Sequence, residues 1–222
     1  MELRISPDPA AAADDAADLL ARRITRAVRD RGRCRIAVSG GSTPALMFAA
    51  LARRDLPWAE LEVFQVDERV APAGDPDRNV GLLADLPVPR RNVHAMPVER
   101  ARLGAAARSY ADRLPQRLDV VHLGIGDDGH TASWPPGDPV ADSDEPVALS
   151  APYQGRVRMT LTPMVVNAAR SRLVVVSGAS KAAAVSRWLL DDPTVPVQRV
   201  RRTATTVVLD TAAASSLVIT PQ

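Results

Sequence analysis

Aromatic side chains are scarce in this sequence, with two Phe, two Tyr and three Trp among 222 residues. A core must therefore be built from Ala, Val and Leu. A nucleic-acid surface of basic residues interleaved with aromatics finds no support. Cysteine is missing except for Cys34, which excludes an internal disulfide framework and a cysteine-rich zinc site. No apolar run approaches the roughly 20 residues of a membrane span. The opening MELRISPDPAAAADDAADLL has no signal-peptide core and carries acids early. Neither sign of charge dominates, since 28 Lys and Arg stand against 26 Asp and Glu, a net +2. The arginines are scattered in short pairs such as Arg22-Arg23, Arg53-Arg54, Arg90-Arg91 and Arg201-Arg202. A cytoplasmic enzyme or binding protein is expected, with no nucleic-acid or membrane partner. The slight basic excess suits a small anionic ligand.

What the sequence does contain is alternation. Ala13, Ala16, Leu20, Ile24 and Ala27 fall on one stripe, so residues 13–31 are expected to be helical. Further helices are expected at 44–54, 79–86, 99–114, 163–170 and 180–191. Apolar strands are expected at 33–39, 61–66, 119–123 and 172–177, with shorter ones at 92–96, 156–162 and 205–209. A terminal helix or strand is expected near 211–219, and residues 134–155 show no regular pattern. Short strands alternating with helices indicate an α/β fold, a mostly parallel sheet with helices on both faces. With no internal repeat and no long linker, a single domain over 1–222 is expected. Ligands in such folds sit at the carboxyl ends of the strands, and four strand ends carry chemistry.

The first is SGGSTP. Gly40 and Gly41 let the backbone turn tightly, Thr43 is the expected N-cap and Pro44 the first helical residue. A helix N-terminus with Ser42 and Thr43 beside it suits a phosphate; a plain strand-to-helix turn is the alternative. The second is VDERVAP. Asp67 or Glu68 serves as a base or orients a partner, and Arg69 suits bidentate binding of phosphate or carboxylate. The alternative is a solvated loop whose charges pair with one another.

The third, LGIGDDGHTASWPP, has Gly124-x-Gly126-x-x-Gly129 directly after an apolar strand. That spacing is shared with dinucleotide-binding turns, which need a helix immediately afterwards. Trp134-Pro135-Pro136 leaves room for barely one turn, and Asp127 and Asp128 would put negative charge where a pyrophosphate belongs. The dinucleotide reading is rejected. What remains is a glycine-lined strand end with Asp128, His130, Thr131 and Ser133. His130, one of three histidines, suits a general base whose tautomer Asp128 fixes; a structural His is the alternative. The fourth, VVVSGASKAAAV, places Lys181 in a first helical turn after a serine cap. The helix dipole disfavours a cation there. A bound anion would remove the conflict, so Lys181 is read as a phosphate or substrate ligand, the alternative being a lysine turned into water.

Five segments in order, SGGSTP, VDERVAP…DPDRNVGLL, LGIGDDGHTAS, RMTLTPMVVNAAR and SGASKAAAV, resemble the 6-phosphogluconolactonases, within the group that includes glucosamine-6-phosphate deaminases. The resemblance runs from about residue 36 to 210. It implies a Rossmann-like α/β fold without a nucleotide, and hydrolysis of 6-phospho-D-glucono-1,5-lactone to 6-phosphogluconate in the oxidative pentose phosphate pathway. It implies no metal and no organic cofactor, and the dispersed histidines offer no metal-ligand spacing. By the resemblance His130 is the base, Asp67 and Arg69 line the site, and Gly40, Gly41, Ser42, Thr43 and Lys181 hold the phosphate. Arg158, which opens RMTLT, is a further ligand for the anion. The partner implied is a small phosphorylated sugar lactone, and a monomer or weak homodimer is expected.

Trp134-Pro135-Pro136-Gly137 stands where the family usually has Leu-Phe-Pro-Gly; the Trp is expected to keep a bulky apolar wall beside the substrate while the prolines reshape the loop. The deaminases carry a glutamate shortly after the equivalent His, and residues 131–137 contain no carboxylate, which favours the lactonase. No Gly-x-Ser-x-Gly elbow occurs, so direct attack by water is expected. The rivals are a deaminase-type isomerase and a sugar-phosphate sensor without turnover. Sensors of that kind carry a DNA-binding helix-turn-helix, for which the roughly thirty residues before the strand at 33–39 leave little room.

Overall fold

Residues 1–217 are described by the computed structural model. After strand β1 (Glu2–Ser6) comes α1 (Pro9–Arg31). Its boundaries follow from local chemistry. The Asp8 carboxylate accepts the Ala11 N–H at 2.8 Å, Pro9 opens the helix, and Gly32 closes it in the left-handed conformation, φ 74°. Then come β2 (Cys34–Val38), α2 (Ser42–Ala52), β3 (Leu61–Gln65), β4 (Asp67–Arg69), β5 (Val93–His94), α3 (Leu103–Ala111) and β6 (Val120–Leu123). The remainder is β7 (Val147–Leu149), β8 (Arg158–Leu161), α4 (Pro163–Ala168), β9 (Ser171–Val176), α5 (Ala182–Leu189) and β10 (Thr205–Asp210).

Seven strands form a parallel sheet in the order β1-β10-β9-β6-β2-β3-β5. The two faces bury different helices. Ala12, Ala13, Ala16 and Ala17 of α1 and Met47, Phe48 and Leu51 of α2 pack on Ile36, Val38, Val120 and Leu173. The small alanines let α1 lie close to the sheet. Tyr110 of α3 and Val185 and Trp188 of α5 pack on Ala37, Val121, Val174 and Val207 opposite. A second, antiparallel sheet, β4-β8-β7, joins the first through Val66. The Val66 N–H donates to Val38 O at 2.9 Å, and its carbonyl accepts from Leu161 N at 2.7 Å. Strand order reverses between β2 and β6, so the crevice beyond their carboxyl ends is the place for a ligand.

The α/β class and parallel sheet are as the alternation indicated, with local corrections. β1 carried no burial pattern because it is an edge strand, with Leu3 42% and Ile5 40% exposed. The strand expected at 61–66 stops at Gln65, and the next residues change sheets. The stretch 79–86 forms 3₁₀ turns over Asn79–Asp85, the 99–114 helix shortens to α3, and β7 arises inside the patternless 134–155. Gly41, not Thr43, caps α2, so the helix begins at Ser42. A 3₁₀ turn, Ala179–Lys181, precedes α5. Residues 211–216 are turns, and 218–219 lie outside the described residues.

Candidate active site

Five of these elements end around one cavity of about 250 Å³. The β2–α2 turn contributes Gly40, Gly41, Ser42 and Thr43; β4 contributes Asp67 and Arg69; the turn after β6 contributes His130; β8 contributes Arg158; and the turn after β9 contributes Lys181. Asp128 sits behind the histidine. Nine of the residues singled out in the sequence therefore line one cavity, with Asp128 adjoining through His130, while Glu68 does not reach it.

Gly126 of the 124–129 stretch makes room for His130. A Cβ on Gly126 would lie 2.1 Å from the imidazole, so only glycine leaves the ring its seat. Gly129 has φ 87°, and a Cβ there would meet Val195 at 2.7 Å. His130 Nδ1 lies 2.6 Å from Asp128 Oδ1, which also accepts the His130 backbone N–H at 3.0 Å. Burial raises the Asp128 carboxyl, but hydrogen bonds from Tyr153 and His130 outweigh it and hold the group below its ordinary value. An ionised carboxylate only accepts, so it fixes the proton on Nδ1. Nε2 makes no hydrogen bond to the described residues and is left as a lone pair.

Asp67 and Glu68 are neighbours with different roles. Asp67 lines the cavity and accepts from Ser133 Oγ at 2.7 Å. Burial pushes its carboxyl up, against the opposing pull of Ser133 and Arg158. Glu68 points the other way and is 0% exposed. It accepts from Gln65 Nε2, Arg69 N, Asn79 N and Val80 N at 2.7–2.9 Å, with Arg78 Nε at 3.1 Å. Glu68 therefore organises the 78–80 loop, and of the two only Asp67 is available to a ligand.

The cations are arranged less comfortably. Arg69 and Arg158 are direct cross-strand partners in β4–β8. Like charges in that relation repel, and Arg69 helps burial depress the Arg158 pKa. Arg69 is tied to the Asp77 carbonyl (2.6 Å) and Asn79 Oδ1 (3.0 Å). Arg158, 4% exposed, donates to Gln154 Oε1 at 2.8 Å and leaves Nε without a partner. Lys181 makes no ion pair with the described residues. At the β2–α2 turn, the first N–H groups of α2 have no helical acceptor. Thr43 Oγ1 lies 2.7 Å from Ser177 Oγ, which ties this turn to the one after β9.

Several site residues escaped the sequence reading. Asn79 fills the space that a Gly40 Cβ would need, at 2.0 Å, and donates to the Asp67 carbonyl. Asp210 accepts the Gly178 N–H with both oxygens and so fixes the β9 turn. Tyr153 and Gln154 arrive from the β7–β8 hairpin, whose only local signal is the Gln-Gly pair. Trp134 corrects an expectation: it is fully buried and donates its indole N–H to Leu161 O at 2.8 Å. It packs in the core instead of forming a wall beside a ligand. Among the described residues no cluster of three or more His, Cys, Asp or Glu could hold a metal ion, and no helix is long and apolar enough to cross a membrane.

Comparison with known proteins places the chain in a family. A 6-phosphogluconolactonase of Synechocystis sp. is 37% identical, with 72% of each chain covered. One of Nostoc sp. is 33% identical, with 83% of each covered. The crystal structure of 6-phosphogluconolactonase from Leishmania guyanensis superposes with a TM-score of 0.86 at 25% identity, covering 97% of this chain and 98% of that one. The family model described as "Glucosamine-6-phosphate isomerases/6-phosphogluconolactonase" matches residues 7–209. The chain belongs to this family of sugar-phosphate isomerases and lactonases.

Proposed function

We propose that this protein hydrolyses 6-phospho-D-glucono-1,5-lactone to 6-phosphogluconate. The observation that carries the reading is the division of one cavity into a cationic part and a basic part. Arg69, Arg158, Lys181 and the free N–H groups of α2 surround space suited to an anion. His130 faces the same space with Nδ1 occupied by Asp128. The absence of a carboxylate from 131–137 supports the lactonase over the deaminase reading.

In this mechanism the Gly40–Thr43 turn and Lys181 hold the phosphate. Binding there, remote from the carbonyl, fixes the ring for attack. His130 Nε2 takes a proton from a water as its oxygen bonds to the lactone carbon. The carbonyl electrons move onto the oxyanion, stabilised by turn N–H groups and Arg69, each such donor contributing about 3 kcal/mol. The tetrahedral intermediate then collapses, the bond from the carbon to the ring oxygen breaks, and the imidazolium returns the proton to that oxygen. Asp67, fixed by Ser133, orients the reacting groups. No covalent intermediate is required.

The test is hydrolysis of freshly prepared phosphorylated lactone, with spontaneous opening subtracted and the unphosphorylated lactone run beside it. Acceleration confined to the phosphorylated substrate is expected. Absence of acceleration, with ammonia released from glucosamine-6-phosphate, would replace this reading with the deaminase.

A further inference from the structure

The hairpin between β7 and β8 reaches into the site from outside the matched motifs. Tyr153 and Arg156 exchange backbone hydrogen bonds, Tyr153 N to Arg156 O at 2.9 Å and Arg156 N to Tyr153 O at 3.2 Å. The two residues between them, Gln154 and Gly155, both have positive φ, 49° and 78°, as a tight two-residue hairpin turn demands. The tip is held on both sides. Arg156 pairs with Asp75 at 3.0 Å and Asp77 at 3.6 Å. On the other side the Tyr153 hydroxyl donates to Asp128 Oδ2 at 2.6 Å and lies 3.3 Å from His130 Nδ1. The Tyr153 ring stands edge-on to the imidazole, centroids 5.4 Å apart, and the Arg158 guanidinium covers it at 5.0 Å.

We propose that Tyr153 is a positioning residue for the His130–Asp128 pair, its hydroxyl holding one carboxylate oxygen so that the other stays on Nδ1 and the Nε2 lone pair stays available to the cavity. The proposal rests on His130 acting as the base. Asp128 sits on a partly exposed turn where water competes for Oδ2, and a phenol fixed by its own hairpin removes that competition. Among the influences that keep Asp128 ionised against its burial, the Tyr153 bond stands first. The charged and titratable groups facing Asp128 are His130 and Asp127 from its own turn and Tyr153 and Arg158 from the hairpin. The Tyr153 hydroxyl is pushed up to about 12, by burial first and by Asp128, so it remains a donor at working pH. If Asp128 took up a proton, it could donate to Nδ1, and the imidazole proton would move to Nε2 and abolish the base.

Tyr153→Phe keeps the ring and removes only the hydroxyl. The expected result is a kcat lowered roughly tenfold, part of the ~10²–10⁴ supplied by a general base, with KM within twofold and the acid limb of the kcat–pH profile moved to higher pH. Unchanged kcat and an unmoved limb would overturn the proposal. Arg156→Ala removes the ion pairs to Asp75 and Asp77 but keeps the backbone bonds that fix Tyr153, so it should leave the limb in place. If it moves the limb as far as Tyr153→Phe, the hairpin is a scaffold only. Ring ¹⁵N shifts of His130 in the substrate-free protein, assigned through His130→Gln, separate this proposal from the substrate reading. A protonated Nδ1 in the wild type and a mixed tautomer in Tyr153→Phe support the positioning role even if the lactone is not turned over. Identical tautomers in both overturn it even if the lactone is.

Discussion

Two histidines eight residues apart occupy one strand and the turn that follows it, and their circumstances are opposite. His122 on β6 faces the α1–α2 layer, edge-on to Phe48, fully buried, with neither ring nitrogen hydrogen-bonded. Desolvation alone pulls its pKa down to about 3, so it is a neutral, bulky core residue. His130 has a carboxylate on Nδ1, a phenol behind the carboxylate and an open cavity before it. Imidazole chemistry is the same in both. What differs is whether a partner orients the proton and whether space adjoins the other nitrogen.

The sharpest way to break this contrast is His130→Ala, which should lower kcat by about 10²–10⁴ and leave KM and thermal stability nearly unchanged. A variant with wild-type kcat in steady-state assays would remove the base assignment. Gly126→Ala tests the seat of the ring alone. The new methyl must displace the imidazole, and a shift of that kind costs about 10² in kcat in a protein that still shows native circular dichroism. Lys181→Ala removes an anchor without touching the base, so KM should rise roughly tenfold with kcat within twofold; the reverse split would relocate the phosphate.

The smallest effect is expected from His122→Leu. Activity should not change. Urea unfolding should show a gain of about 1 kcal/mol at neutral pH, because two unpartnered buried nitrogens are replaced by carbon. The sign of the pH dependence is fixed by the depressed native pKa. Between pH about 6.5 and about 3 the unfolded chain holds a proton on this residue that the native one does not. Stability therefore falls as pH drops through that window, by up to about 1.4 kcal/mol per unit, and His122→Leu should flatten this part of the curve. An equally steep curve in the variant would show that His122 is protonated in the native state.

The parts of the fold legible in the sequence were those where local pattern and burial agree. Strands β2, β6 and β9 are apolar on both faces because helices cover both, and α1 carries its own caps. β1 was not legible, since an edge strand with Leu3 and Ile5 exposed shows no alternation that marks a core. The site was legible where residues follow a strand directly, as at Gly40–Thr43, Asp67–Arg69 and His130. Two kinds of feature were hidden. Direction was one: consecutive carboxylates on a strand point to opposite faces, so Asp67 and Glu68 differ wholly in role, and nothing nearby says which face is the cavity. Distance in sequence was the other. Tyr153 meets Asp128 because β7 and β8 pair, and Trp134 lies in the core, its indole bonded to the Leu161 carbonyl, 27 residues away in sequence.

Val66 is a rivet through two plates. One residue is bonded to both sheets, by its N–H to one and its C=O to the other, so the gap between the strand ends carrying the Gly40–Thr43 turn and those carrying Arg69 and Arg158 is set by backbone dimensions of about 3.3 Å per residue. The rim residues that line the cleft, such as Gln154 and Lys181, hang on this frame and do not set its gauge. Under the proposed function, that gauge is the ruler that sets how far the phosphate anchor stands from the arginine pair.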